Sequence, residues 1–102
     1  MNEQLAKQAK EVSLVLKQLA HPDRLRVLCC LVDGEKSVSQ LVEFAGASQP
    51  WVSQFLARMR LHGLVDTRKD GNFVYYRISE PRLKVLLQAI YKAYCVKVTD
   101  KK

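Results

Sequence analysis

Residues 37–65 read SVSQLVEFAGASQPWVSQFLARMRLHGLV, and this stretch decides the fold. Ser37 suits the N-cap of a short helix through Phe44, because a serine hydroxyl accepts from the free N–H groups of a first turn. Gly46 permits a tight turn. Ser48 suits the cap of the next element, with Gln49 and Pro50 in its first turn. That element runs to Leu61 and ends at His62-Gly63. A short helix, a glycine turn and a longer helix within roughly 25 residues form the helix-turn-helix pattern. Other helical hairpins share it, so the flanking sequence carries the decision.

Downstream, LVDTRKDGNFVYYRIS (64–79) changes period. Residues 64–69 and 72–79 are strand-like, rich in Val, Tyr and Phe, and Asp70-Gly71 between them is a two-residue hairpin signal. A basic hairpin after a helix-turn-helix makes a winged helix, with Arg68 and Lys69 by the tip and Asn72 opening the return strand. EPRLKVLLQAIYKAYC (80–95) follows, with Pro81 at a helix start and Leu83, Leu86, Leu87, Ile90 and Tyr94 on one face. Upstream, Leu5, Ala9, Val12, Leu16 and Leu19 recur at helical spacing over residues 3–19, and Val15 extends the stripe. Pro22 disfavours helix at His21 and suits the first turn of a second helix, whose positive end suits Asp23. That helix runs to Val32 and stops at DGEK, where Gly34 is free to turn left-handed. The expected architecture is mainly α with a β-hairpin wing: four helices, two strands and a last helix, in one domain over residues 1–102.

Composition narrows the function. Hydrophobic residues make up 48% of the 102, too many for a disordered chain. No apolar run approaches the roughly 20 residues of a membrane span. The polar start MNEQLAKQAKEV lacks the apolar core of a secretion signal, so a cytoplasmic home is expected. The net charge of +7 calls for a polyanionic partner, nucleic acid before a membrane surface. Three cysteines, an odd number, do not make a secreted disulfide framework. No nucleophile–base arrangement, phosphate loop or paired acids point to an enzyme. A core of this size is modest, and an oligomer would help it.

Treated as a helix, residues 49–61 place Val52, Phe55, Leu56 and Met59 on a core face. Trp51, Gln54 and Arg58 lie opposite, with Ala57 between them and Gln49 and Ser53 on the flanks. The planar forks of Gln and Arg match adenine and guanine edges in a major groove. Ser48 and the free N–H groups beside it suit a phosphate. Trp51 either packs on DNA or covers the turn; the second reading is preferred.

The segments HPDRLRVLCCL (21–31), SVSQL (37–41), SQPWVSQFLARMRLHGLV (48–65) and DGNFVYYRIS (70–79) together resemble the ArsR family of winged-helix repressors over nearly the whole chain. The resemblance implies a homodimer through the first and last helices. It also implies two recognition helices in successive major grooves of double-stranded operator DNA, and repression by blocking a promoter. By position, Ser48, Gln49, Ser53 and Gln54 would contact DNA and Arg58 would lie near the backbone. Arg68, Lys69 and Asn72 of the wing complete the expected DNA-binding set. The usual pattern has a small residue where Trp51 stands and often His where Phe55 stands.

Many members of the family sense metals. One of their sites uses Cys-x-Cys in the first helix of the helix-turn-helix, where SVSQLVEFAG has neither Cys nor His. Another uses Asp, His and Glu on the last helix, where PRLKVLLQAIYKAY has none. His21 and His62 are isolated in sequence, so no metal ligand and no cofactor is assigned. The cysteines offer another route. The second helix's core stripe reads as Leu25, Leu28 and Val32, with Cys29 on its flank and Cys30 turned away, nearer Asp23 and Arg26. Adjacent helical cysteines diverge and do not pair with each other. As residues alone, the thiols read as small buried hydrophobes. The persulfide-responsive branch of the family, of the BigR, SqrR and HlyU type, carries one cysteine in ILC on the second helix and one in YC at the end of the last. Cys29 in RVLC and Cys95 in AYC match those positions; Cys30 has no counterpart. The resemblance therefore implies a redox switch of Cys29 and Cys95 with reactive sulfur species as inducer, and Lys92 and Lys97 are candidates to favour the Cys95 thiolate. The readings left beside it are a repressor induced by a metal or a general oxidant, and a winged-helix architectural or interaction protein with inert thiols.

Overall fold

In the computed structural model, residues 3–95 are described. The elements run α1 (Glu3–Leu19), α2 (Pro22–Cys30), β1 (Lys36–Ser37), α3 (Val38–Ala45), α4 (Gln49–Leu61), β2 (Val65–Asp70), β3 (Phe73–Ile78) and α5 (Pro81–Tyr94). This is the winged helix-turn-helix expected from the sequence, with one strand more.

Local chemistry sets most of the boundaries. His21 adopts extended backbone ahead of Pro22, and its Nδ1 accepts from the Asp23 N–H at 3.1 Å. Ser37 and Gln40 form a reciprocal capping box: the Gln40 N–H donates to Ser37 Oγ at 3.3 Å, and the Ser37 N–H donates to Gln40 Oε1 at 2.9 Å. Gly46 ends α3 with φ of 71°, the left-handed turn on which the helix-turn-helix depends. Ser48 caps α4 by accepting from the Trp51 N–H at 3.3 Å.

Besides shifts of a single residue at the ends of α3 and of the wing strands, three features differ from expectation. First, α2 ends at Cys30 rather than Val32. The N–H groups of Leu31 and Val32 fold back on Leu28 and Cys29 carbonyls at 3.1 Å, tightening the chain into a turn. Second, the wing turns at Gly71-Asn72, one residue beyond the expected Asp70-Gly71, because Asp70 still pairs with Phe73. Gly71 has φ of 63° and stands first in the turn, so the positive φ falls where only glycine carries it without strain. Third, β1 adds a strand to β3, with Lys36 opposite Tyr76 and Ser37 opposite Tyr75, giving an antiparallel sheet in the order β1-β3-β2. Two residues are too few to carry a strand period.

The core gathers Val52, Phe55, Leu56 and Met59 of α4, as its spacing requires, with Leu41 and Ala45 of α3 and Leu83 and Leu87 of α5. On α2 the buried residues are Val27 and Leu28, followed by Leu31 in the turn; Leu25 and Val32 are half-buried flanks. The expected stripe of Leu25, Leu28 and Val32 is thus rotated. The helix packs against α1, α3 and α5 together, which widens its buried arc beyond one stripe.

α1 is different. Of its 17 residues only Leu19 is buried, while Val12, Leu14 and Leu16 stay 42%, 53% and 48% exposed. On α5, Val85 and Tyr91 are likewise 65% and 55% exposed. Arg82 joins the two helices, reaching Glu80 at 3.0 Å and Glu11 at 2.8 Å. Apolar side chains at this density on an outer face call for a covering surface. A second copy would cover it, and sedimentation at micromolar concentration is expected to show two chains. Leu16→Glu is expected to weaken that association by at least about tenfold, since it buries an unpaired charge; a clean wild-type monomer would refute the interface.

Candidate nucleic-acid interface and thiol pair

α4 presents an outer face of Gln49, Gln54, Ala57 and Arg58, all exposed, with Ser53 half-buried beside them and Ser48 at its start. These positions agree with the face read from the helical period. Trp51 is half-buried. Its ring stacks on Phe55 at 5.4 Å between centroids and 20° between planes, and lies 6.0 Å from the His21 ring. The ring also packs against the hydrophobic core. Phe55 is only 1% exposed, and the Arg24 guanidinium lies 5.7 Å from its centroid. The two residues that depart from the usual sequence pattern therefore form one aromatic stack, flanked by His21 and Arg24.

The wing carries Lys69 and Asn72 exposed near its tip, with Phe73 60% exposed beside them. Arg68 is also exposed but heavily engaged: its Nε donates to both carboxylate oxygens of Glu35 at 3.0 and 3.2 Å, and its Nη2 donates to Glu35 Oε1. Its guanidinium lies 5.1 Å from the Tyr75 ring and 3.7 Å from Asp70. Among the described residues, Arg58, Arg60 and Lys69 hold no ion pair. The residue that sequence reasoning missed is Glu35. No local signal marks a partner 33 positions away.

α2, which carries Cys29, packs against α5. Cys29 is half-buried and lines a cleft with Val85, Gln88, Tyr91 and Lys92 of α5. Burial lifts its thiol above the usual value, and the neighbouring charges of Cys95 and Cys30 push the same way. Cys95 is exposed at the end of α5, where its N–H donates to the Tyr91 carbonyl at 2.8 Å. Both are free thiols. Lys92 lines the Cys29 cleft; Lys97 lies outside the described residues.

Cys30 departs from expectation. It packs half-buried against the core, and Lys36 and Asp33, beyond the end of the helix, act on its thiol. Burial raises its thiol, Lys36 opposes this and Asp33 adds to it. The physical reason is the early end of α2, which folds residues 31–36 back past Cys30. Among the described residues no three Cys, His, Asp or Glu side chains converge as a metal site, and no helix is long and apolar enough to cross a membrane.

Comparison with known proteins places this geometry. The sequence profile described as "Bacterial regulatory protein, arsR family" matches residues 21–67. The biofilm growth-associated repressor of Xylella fastidiosa is 41% identical over 93 residues, spanning 91% of this chain and 82% of that protein. The crystal structure of the transcriptional repressor BigR from Xylella fastidiosa superimposes with a TM-score of 0.85 at 40% identity, covering 95% of this chain and all (100%) of that one. A homodimeric winged helix-turn-helix DNA-binding domain from Mycobacterium bovis, described as a possible ArsR-family regulator, superimposes with a TM-score of 0.73 at 28% identity, covering 91% of this chain and 86% of that one.

The unequal surroundings of the thiols set an order of reactivity. Brief alkylation followed by peptide mass spectrometry is expected to label Cys95 first. Labelling of Cys29 is expected to keep accelerating as pH rises past the ordinary thiol range, because a raised pKa leaves its thiolate scarce at neutral pH. Equal labelling of all three cysteines at neutral pH would contradict this arrangement.

Proposed function

The chain belongs to the arsR family of bacterial regulatory proteins, and we propose that it is a dimeric transcriptional repressor that holds operator DNA while Cys29 and Cys95 are reduced and releases it when reactive sulfur species link them. DNA binding and transcription regulation are the work of this family. What supports the finer reading is that α2, which carries Cys29, packs against α5, at whose end Cys95 stands, and that the charge of Cys95 acts on the Cys29 thiol.

The chemistry balances without a metal or cofactor. The exposed Cys95 thiolate attacks the outer sulfur of a hydropersulfide RSSH, forming a Cys95 persulfide and releasing the thiolate RS⁻. The Cys29 thiolate then attacks the inner sulfur of that persulfide, forming the disulfide and expelling hydrosulfide. When both cysteines carry persulfides, the same attack leaves one additional sulfur in the bridge and again expels hydrosulfide. A direct disulfide needs Cα atoms within about 7 Å, while a longer sulfur chain tolerates a wider gap. Either bridge draws the end of α5 against α2. With α1 and α5 forming the dimer contact, this changes the separation of the two recognition helices, and two half-sites one helical turn apart no longer fit.

On the DNA side, Gln49, Ser53 and Gln54 face bases, Ser48 and Arg58 face the backbone, and Lys69 and Asn72 follow the flanking phosphates. Lys69→Ala is expected to weaken binding to all sequences and to lower the salt slope by about 1 per wing. Gln54→Ala is expected to relax preference at one base pair, by about 1–3 kcal/mol. If neither substitution alters binding, the interface lies elsewhere.

Gel shifts with and without polysulfide test the switch. Cys29→Ser and Cys95→Ser are each expected to retain DNA binding and lose release, while Cys30→Ser behaves as wild type. Loss of the response in Cys30→Ser with Cys29→Ser unaffected would transfer the role to the other sulfur. Normal release in all three variants would make the thiols packing residues.

A further inference from the structure

A carboxylate is an unexpected neighbour for a wing arginine in a protein that binds a polyanion. Glu35 lies in the five-residue segment between α2 and β1, and Arg68 lies in β2. The contact is side-on, with Arg68 Nε shared between both oxygens at 3.0 and 3.2 Å and Nη2 adding a further hydrogen bond. This two-nitrogen geometry fixes orientation as well as distance. The hydrogen bond from Arg68 holds the Glu35 carboxyl below the usual range. Arg68 is also opposite Tyr75 in the ladder, and its guanidinium lies 5.1 Å from that ring. Its other terminal nitrogen reaches Asp70 at 3.7 Å. The guanidinium is therefore held from several sides, by Glu35, Tyr75 and Asp70.

What the contact joins is the important point. The two residues after Glu35 are Lys36 and Ser37, which pair with Tyr76 and Tyr75 of β3. Residue 35 thus grips one strand of the wing while residues 36 and 37 pair with the other. Beyond that grip, residues 68–73 are exposed.

We propose that Glu35 is a positioning residue for DNA binding: by holding Arg68, it fixes the angle at which the wing presents Lys69 and Asn72 to the phosphate backbone. This rests on the DNA-binding reading above and gives Arg68 a task different from the direct phosphate contact expected of it. An acidic side chain then supports binding to a polyanion, which simple charge counting forbids.

Glu35→Gln keeps the shape and removes the charge. If Glu35 acted only through its own charge, or competed with phosphate for Arg68, this change would tighten binding. The proposal expects Glu35→Gln to bind operator DNA about three- to tenfold more weakly, with a salt slope flattened toward that of Lys69→Ala. The double variant Glu35→Gln/Lys69→Ala should lose less than the sum of the two single losses, because both changes act on the Lys69 contact. In the free protein, amide hydrogen exchange over residues 67–76 should quicken in Glu35→Gln while the α4 core amides stay protected. Binding as tight as wild type or tighter, fully additive losses, or unchanged wing exchange would each overturn the proposal. A wild-type protein that fails to bind DNA would refute the proposed function, and the exchange measurement would still decide whether Glu35 holds the wing.

Discussion

The burial of α2 is the constraint on which the other elements depend. Val27 and Leu28 are 0% exposed and Leu31 is 2% exposed, and full burial of such a side chain stabilises by about 1.5–3 kcal/mol. This nine-residue helix packs against α1, α3 and α5. Arg26 also reaches the Ala45 carbonyl at the end of α3 at 3.4 Å, and Arg24 lies over Phe55 of α4. The helix that carries two of the three thiols therefore orients the helix-turn-helix as well. The proposed sulfur bridge would act on an element packed against three other helices, and rigid packing passes small shifts onward instead of absorbing them.

The aromatic stack on α4 shows how a departure from a sequence pattern acquires a cause. A bulky ring at position 51 needs a flat surface, and Phe55, one helical turn on, supplies it. The pair anchors the start of the recognition helix against His21 and Arg24. On the proposed function, base reading then falls to Gln49, Ser53 and Gln54, smaller polar groups on a rigid backbone.

Much of the fold was legible in the sequence because its determinants are local. The caps at Ser37 and Ser48, the glycine at 46, the prolines at 22 and 81 and the apolar period of residues 49–61 each act within a few residues. Failures occurred where tertiary packing decides. The arc of α2 depends on three neighbouring helices. β1 exists only because β3 is there to pair with it. The turn at Gly71 is fixed by register across the hairpin. The same division runs through the candidate sites. The outer face of α4 follows from its period, and the roles proposed for Cys29 and Cys95 came from family resemblance. Cys30 was misplaced because its surroundings come from the loop returning to β1. The Arg68–Glu35 contact joins residues far apart in sequence, and each alone reads as an ordinary surface charge.

Ser37 belongs to two elements at once. It is the second residue of β1, opposite Tyr75, and the N-cap of α3, with its hydroxyl accepting from Gln40. No linker separates the sheet from the helix-turn-helix. An inserted residue there would either turn the strand's side chains to the opposite face or break the capping box. The Gly71-Asn72 turn, exposed and bonded only within its own hairpin, carries no such restriction. Length variation in descendants of this chain is therefore admitted at the wing tip and barred at the junction of sheet and helix, so the reach of the wing can drift while its hinge cannot.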